Sequence, residues 1–156
     1  MVAGDMGELA EIIRQAVKLT GVRAVVALGW GQQEAKTKDA NIFYVKSVPH
    51  DWLFPHMAGA VHHGGAGTTA TSLRHALPTL VVQFGGDQPF WAERVYAAGC
   101  GPKAIPRDKL TAENLAEGLR ALISNPEYTR NAACIGEALR NEHGCANAAD
   151  LIEKAV

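Results

Sequence analysis

The chain has 156 residues, of which 47% are hydrophobic and 20% charged, and its formal net charge at pH 7 is -1. This length and composition are typical of one globular domain with a hydrophobic core. The charge argues against a nucleic-acid partner, because nucleic-acid binding needs a basic face. No apolar run approaches the roughly 20 residues that span a bilayer, and no secretory signal opens the chain. We therefore expect one cytoplasmic domain over residues 1–156.

The cysteines give no sign of a disulfide framework or a metal site. They are three in number, and none of them forms the C-x-x-C spacing of redox and zinc motifs. Such a set is typical of reduced thiols in a cytoplasmic protein. We interpret Cys100, Cys134 and Cys145 as packing groups rather than ligands or nucleophiles.

Helical and strand-like segments alternate through most of the chain. Apolar residues over 9–17 recur at helical spacing, and Gly21 follows as a helix-ending residue. From Thr111 onward the periodicity is helical, with a second start at Pro126 and a last helix from about Cys145. Between these ends, the sequence predicts strands at 23–29, 41–45, 59–63 and 79–84, a helical turn at 51–57, and helices at 68–76 and 88–99.

This alternation predicts a Rossmann-like, doubly wound α/β fold, with a mainly parallel sheet flanked by helices. Ligands of such sheets bind beyond the carboxyl ends of the strands. The first predicted element, however, is a helix preceded only by "MVAGD", whereas a doubly wound domain usually opens on a strand. We therefore expect the sheet to lack its first strand. Its unpaired backbone groups would then favour self-association or poor stability.

The segment "AVHHGGAGTTATSL" (60–73) is the first candidate for a binding site. A short apolar run ends at two histidines, passes through three glycines and continues as a helical segment. A glycine-rich junction of this kind exposes backbone N–H groups at the positive end of a helix dipole, which is a ready anion site. Phosphate is the first ligand that this pattern predicts.

Other interpretations of the glycines remain open. Residues 65–70 fit G-x-G-x-x-[GA], and Asp87 follows at about the distance of a ribose-binding acid, as in a dinucleotide fingerprint. That fingerprint normally occupies the first βα turn of its domain, however, and this junction lies mid-chain. A P-loop is excluded, because no Gly-Lys-Ser/Thr is present. The remaining alternative is a tight turn whose glycines only permit close packing.

The two histidines favour a phosphate ligand over a metal. An imidazole at a strand end can donate a hydrogen bond to phosphate. Neighbours in a strand point to opposite faces, so His62 and His63 do not both face one ligand. We expect His63 to face the anion and His62 to pack behind the strand. His50 and His56 add no zinc-like spacing, and no D-x-D pair is present to hold a divalent ion.

The segment "FGGDQPFW" (84–91) also leaves a predicted strand and enters a helix, so it is expected at the same edge of the sheet. Asp87 offers carboxylate acceptors, and the amide of Gln88 both donates and accepts. An adjacent acid and amide suit a polyol such as a sugar ring. The alternative for Asp87 is a structural N-cap of the following helix.

The three motifs "PHDWLF", "HHGGAGTT" and "GDQPFW" occur in this order between about Gly29 and Thr111. Together they resemble the carboxy-terminal, nucleotide-sugar-binding domain of GT-B fold glycosyltransferases. The resemblance is closest to sterol 3-beta-glucosyltransferases and to bacterial relatives that glycosylate antibiotics and lipids. It implies that His63 binds the diphosphate of a UDP-sugar. It also implies backbone and hydroxyl donors to this diphosphate, from Gly65, Ala66, Gly67 and Thr68.

The resemblance further implies how the nucleoside is held. Ser47, Val48 and His50 occupy the loop that meets the uracil ring in the family. Plant relatives have a tryptophan where Ser47 stands, and Trp30 is the candidate substitute for it in this chain. Plant enzymes also carry a ribose-binding glutamate where this chain has Thr71, so we expect ribose to be recognised differently.

By the same resemblance, Asp87 and Gln88 match the acid–amide pair that holds the glucose hydroxyls. Such enzymes transfer the sugar with inversion and use no metal or other cofactor. Their general base and most of the acceptor pocket lie in an amino-terminal domain, which residues 1–156 do not contain. We therefore expect a donor-binding domain that partners an acceptor domain in cis or in trans and is inactive alone. In the cell we expect it in the cytoplasm, at a membrane surface if the acceptor domain lies there.

Two alternatives to this function remain at this point. In one, the chain is the donor-binding subunit of a two-chain N-acetylglucosaminyltransferase. In the other, it is a non-catalytic nucleotide-binding module of the NAD type.

Overall fold

The computed structural model describes residues 3–27 and 39–155, and they form an α/β structure of parallel strands flanked by helices. This confirms the predicted fold class. Single 3-10 turns lie at Phe54–His56 and Arg107–Lys109. The elements in chain order are α1 (Ala3–Thr20), β1 (Ala24–Ala27), β2 (Ile42–Val45), α2 (His50–Leu53), β3 (Ala60–His62), α3 (Ala66–Arg74), β4 (Thr79–Gln83), α4 (Gln88–Ala97), β5 (Ile105–Pro106), α5 (Ala112–Ser124), α6 (Pro126–Asn141) and α7 (Gly144–Ala155).

All strand pairs are parallel, but they form two sheets rather than the single sheet predicted. β1 pairs with β2 in one sheet, and the other has the order β3-β4-β5. Within the described ranges, β4 pairs along both sides and the other four strands along one side only. The missing first strand, and the self-association expected from its absence, stay predictions.

Strand β4 lies at the centre of the core, with helices on both of its faces. Leu80 and Val82 pack in a cluster with residues of α1 and α5. Val81, whose side chain points to the opposite face, packs with residues of α3, α4 and α6. Leu80 and Val81 are 0% and 1% exposed, and each such side chain contributes about 1.5–3 kcal/mol by burial. The carboxyl end of β4 is therefore held firmly by packing on both faces.

The register of β3 on β4 brings the two glycine segments to one edge of the sheet. His62, the last residue of β3, pairs with Val81 of β4. The segments that follow these parallel strands, 63–65 and 84–87, therefore emerge on the same side. Gly64 is buried at a φ of +90°, and a β-carbon there would lie 2.6 Å from Cγ1 of Val81. Glycine is required at this turn, both for its conformation and for its space.

None of the described helices is long and apolar enough to cross a membrane.

Candidate functional site

The start of α3 offers main-chain N–H groups. The helix begins at Ala66 after Gly65, the N-cap residue, which has an extended backbone and provides no side-chain cap. The first bond into the helix joins the N–H of Thr69 to the carbonyl of Gly65. The N–H groups of Ala66, Gly67 and Thr68 precede that bond and therefore have no partner within the helix. They lie at the positive end of the helix dipole, where an anion binds favourably.

His63 lies directly beside this helix start. Its side chain is exposed, and its Nε2 atom is 2.5 Å from the position that a β-carbon on Gly65 would occupy. The imidazole therefore rests against the bare α-carbon of the N-cap residue. An anion at the first turn of α3 has the imidazole and the helix amides as neighbouring donors.

His62 turns the other way, as strand alternation predicts. Its Nδ1 atom accepts a hydrogen bond from the N–H of Gly64 at 3.0 Å. Its Nε2 atom is shielded from solvent and has no hydrogen-bond partner among the described residues. Burial, and secondarily the charges of His63 and His50, lower the pKa of His62 to about 4. The two neighbouring histidines thus have different environments, one exposed and one enclosed.

The second segment places Asp87 and Gln88 at the start of α4, where both side chains already have partners. Oε1 of Gln88 accepts from the N–H groups of Phe84, at 2.7 Å, and Gly85, at 3.2 Å. Oδ2 of Asp87 accepts from Nε1 of Trp91 at 2.9 Å. Asp87 occupies the N-cap position, but its side chain makes no cap hydrogen bond. The alternative interpretation is therefore right about the position of Asp87, while its side chain bonds to Trp91 instead of capping the helix.

The two segments touch each other. A β-carbon on Gly64 would lie 3.4 Å from the carbonyl oxygen of Gln88 and 3.6 Å from its Cβ atom. The turn before α3 therefore packs on the first residue of α4. The structure thus brings the turn before α3 against the start of α4, as the two segments' expected common edge of the sheet predicts.

His50, assigned to the uracil ring, is linked through aromatic contacts to the carboxyl end of α3, away from the helix start. The ring of His50 stacks on Phe54, with 4.7 Å between centroids and 10° between planes. Phe54 is buried and meets His75, which follows α3, edge to face. Ser47 is exposed and Val48 half-buried in the loop between β2 and α2. The predicted residue Trp30 lies outside the described residues.

Trp91 is the site residue that sequence reasoning missed. It lies four positions after Asp87, one helical turn away, so its indole N–H reaches back to the carboxylate. That i, i+4 spacing was the signal available in the sequence.

A cavity of about 550 Å³ adjoins the site at the ends of β4 and β5. It shares Phe84 and Gly85 with the second segment, but neither His63 nor Asp87 lines it. The geometry at the start of α3 therefore identifies the candidate site better than cavity size does. Within the ranges that the structure describes, no three His, Cys, Asp or Glu residues are grouped to hold a metal ion.

The chain matches one protein family over most of its length, and it is similar to several known proteins. The family described as "Erythromycin biosynthesis protein CIII-like, C-terminal domain" matches residues 11–152. The sterol 3-beta-glucosyltransferase UGT80B1 of Arabidopsis thaliana is 41% identical over 152 residues, which cover 96% of this chain and 25% of the relative.

Two solved structures are similar over most of the chain. The glycotransferase of kitacinnamycin is 26% identical with a TM-score of 0.80, over 93% of this chain and 38% of its own. The glycosyltransferase VinC, solved in complex with DTDP, is 28% identical with a TM-score of 0.73, over 88% of this chain and 35% of its own. The chain thus spans about a quarter of the matched Arabidopsis enzyme and little more than a third of each of these two structures.

Proposed function

The chain belongs to the family of erythromycin biosynthesis protein CIII-like C-terminal domains of glycosyltransferases, and on this premise we propose that it binds a UDP-sugar, UDP-glucose in our assignment. It does so as the donor domain of an inverting, metal-independent enzyme. The acceptor is a hydroxyl group of a sterol, a lipid or another hydrophobic molecule. The family membership confirms the resemblance drawn from the three sequence motifs.

The observation that carries the proposal is the pairing of the open helix start with His63. A nucleotide sugar bears two phosphate charges, and the departing nucleoside diphosphate gains more charge as the glycosidic bond breaks. Donors fixed before the reaction stabilise this charge without reorganising. The N–H groups of Ala66, Gly67 and Thr68 and the nearby imidazole are donors of this kind.

The sugar is assigned to the start of α4. Asp87 has one carboxylate oxygen bonded to Trp91, and its other oxygen is directed to a hydroxyl in our assignment. Oε1 of the Gln88 side chain accepts from the N–H groups of residues 84 and 85. The NH₂ group of the same side chain is therefore the part that we assign as a donor to a sugar hydroxyl. Both side chains are better suited to hydrogen-bond the hydroxyl groups of a polyol than to bind a nicotinamide ring. This favours a sugar nucleotide over the NAD-type alternative.

The acceptor and its general base come from a second domain in this proposal. None of the residues assigned here removes a proton from an acceptor hydroxyl, and the matched relatives are several times longer than this chain. We therefore expect residues 1–156 to bind the donor without transferring its sugar. Measurable transfer to a sterol by this chain, without added protein, would contradict this part of the proposal.

Gly67 offers a direct test of the diphosphate position. A β-carbon on Gly67 meets no atom of the chain within 4 Å, so Gly67→Ala disturbs nothing in the unbound protein. If the diphosphate lies against this turn, the methyl group collides with the ligand instead. We expect calorimetry to give about tenfold weaker UDP-glucose binding, a change of about 1.4 kcal/mol, with an unchanged or higher melting temperature.

The matched control is Gly7→Ala in α1, where the added carbon also meets nothing. It should leave UDP-glucose binding unchanged. UDP, dTDP, NAD and uridine are titrated beside UDP-glucose, because VinC was solved with DTDP. If dTDP binds more tightly than UDP, the nucleoside of the proposed donor is thymidine instead of uridine. Binding of NAD but not UDP-glucose would overturn it.

A further inference from the structure

We propose that His62 is a positioning residue of this site, a neutral imidazole that fixes the turn at residues 63–66 by accepting the main-chain N–H of Gly64. The identity of the ligand in this inference rests on the proposed function. The hydrogen bond and the shape of the turn do not.

The Gly64 amide depends on His62 because its surroundings are closed. Gly64 is buried, with Val81 and Gln88 packed against it. Its N–H donates to the side chain two residues earlier, in a local ring like an Asx turn. Without the imidazole the Gly64 N–H loses its acceptor, and either the backbone shifts to satisfy it or water enters the vacated space. In both cases the turn loses the bond that fixes its shape.

The bond also defines the protonation state of His62. Nδ1 accepts a hydrogen bond, so it carries a lone pair, and the proton of the neutral ring lies on Nε2. A doubly protonated ring has no acceptor for Gly64. Burial keeps the pKa of His62 at about 4, and the titratable rings that act on it are His63 and His50. The neutral form needed for the hydrogen bond is therefore the form present at neutral pH.

The turn connects this buried bond to the exposed donors. His63 follows His62 directly, and Gly65, against which its imidazole rests, is the N-cap of α3. The conformation of Gly64 therefore sets the position of the His63 ring relative to the helix amides. His62 thus acts on a phosphate ligand through the turn, without touching it.

Three substitutions separate this role from simple packing. His62→Asn keeps an acceptor near the position of Nδ1, and Asn is well suited to bonds with an N–H two residues later. His62→Gln keeps a polar amide but moves it to the position of Nε2. His62→Ala removes both. A packing role alone predicts that Gln, the larger side chain, replaces His62 better than Asn.

The first measurement needs no ligand. In the chain labelled with ¹⁵N, we expect NMR at pH 7 to show His62 protonated at Nε2 and bare at Nδ1. The Gly64 amide proton should keep its chemical shift in His62→Asn and move upfield in the Gln and Ala variants. A His62 protonated at Nδ1, or a Gly64 amide indifferent to all three substitutions, overturns the inference whatever the chain binds.

The second measurement is calorimetry with UDP-glucose and uridine. We expect the Ala and Gln variants to bind UDP-glucose about three- to tenfold more weakly, and His62→Asn to stay within about twofold of the wild type. Uridine, which has no phosphate, should bind all variants equally. Equal UDP-glucose affinity in all variants overturns the positioning role while the proposed function stands. Failure of the wild-type chain to bind UDP-glucose, with the expected NMR result, overturns the proposed function and leaves His62 as the residue that fixes the turn.

Discussion

The imidazole of His63 and the α-carbon of Gly65 share one small space, because Nε2 lies 2.5 Å from the point where a β-carbon of residue 65 would stand. The backbone of Gly65, at φ −63° and ψ 144°, is accessible to any residue. Glycine is therefore needed here for room and not for conformation.

Gly65→Ala should consequently displace the His63 ring at little cost in stability. The atom that must move is the far end of a side chain, which can rotate away from the new methyl group. We expect UDP-glucose to bind about tenfold more weakly, since a hydrogen bond to a charged group contributes about 1.5–3 kcal/mol. Calorimetry and thermal unfolding measure the two effects. In a protein that already carries His63→Ala, Gly65→Ala should cause no further loss of UDP-glucose affinity. If the two losses were fully additive, Gly65 would act independently of His63.

Gln88→Glu distinguishes the two ends of the Gln88 side chain. A carboxylate accepts from the N–H groups of Phe84 and Gly85 as the amide does, so the melting temperature should not fall. The NH₂ donor is lost, and the preference for UDP-glucose over UDP should drop about three- to tenfold. UDP carries more negative charge than UDP-glucose, so the added carboxylate repels UDP at least as strongly, and a lower preference for UDP-glucose is attributable to the lost donor. Gln88→Leu leaves the N–H groups of Phe84 and Gly85 without their acceptor, so it should lower the melting temperature. An unchanged preference for UDP-glucose over UDP in the Glu variant would mean that Gln88 does not contact the sugar.

Trp91→Phe should weaken the sugar contact through Asp87. The substitution keeps a ring but removes the N–H that holds Oδ2 of Asp87. We expect about two- to fivefold weaker binding of UDP-glucose and no change for UDP, measured by calorimetry. The matched control is Trp52→Phe, at an indole that is 64% exposed in α2. Equal losses in the two variants would mean that the indole N–H of Trp91 has no special role.

Acid should destabilise the chain in part through His62. Its pKa is about 4 in the folded chain, because of burial, against an ordinary value of 6.5. Between these values the unfolded chain takes up a proton that the folded chain does not, so the free energy of unfolding falls as pH falls. We expect a loss of about 1–3 kcal/mol between pH 6.5 and 4 from this group.

The variant His62→Asn lacks this titration and isolates it from the carboxylates. Urea unfolding of both proteins at pH 7, 5.5 and 4 should show the wild-type advantage shrinking with acid. Parallel pH profiles would show that His62 titrates alike in the folded and unfolded chains.

The parts of this fold that were predictable are those written in local sequence signals. The run at 79–84 is apolar without alternation, and β4 is covered on both faces. Glycines and a change of periodicity marked the start of α3. β5 was missed because it has only two residues, one of them Pro106, which leaves no pattern to detect. The division into two sheets depends on pairing between distant segments, which no local signal specifies.

The site divides in the same way. Strand alternation predicted the opposite environments of His62 and His63. The bonds of His62 to Gly64 and of Trp91 to Asp87 were not predicted, because they depend on rotamers chosen by the packed structure. Residue types marked the segments that we propose as the binding site. They did not indicate which atoms of those residues already form hydrogen bonds within the protein.

The donors at the start of α3 belong to the main chain, and this hides them from the usual mutational survey. Position 66 is already alanine, and truncating a side chain removes no N–H group. Proline removes one: at the first position of a helix it fits without strain, and Gly65 before it already has the extended backbone that proline demands. Ala66→Pro thus deletes a single donor atom from the turn. We therefore expect substitutions at residues 65–67 to act on a ligand through their volume, so a survey of side-chain chemistry alone misses what this segment recognises.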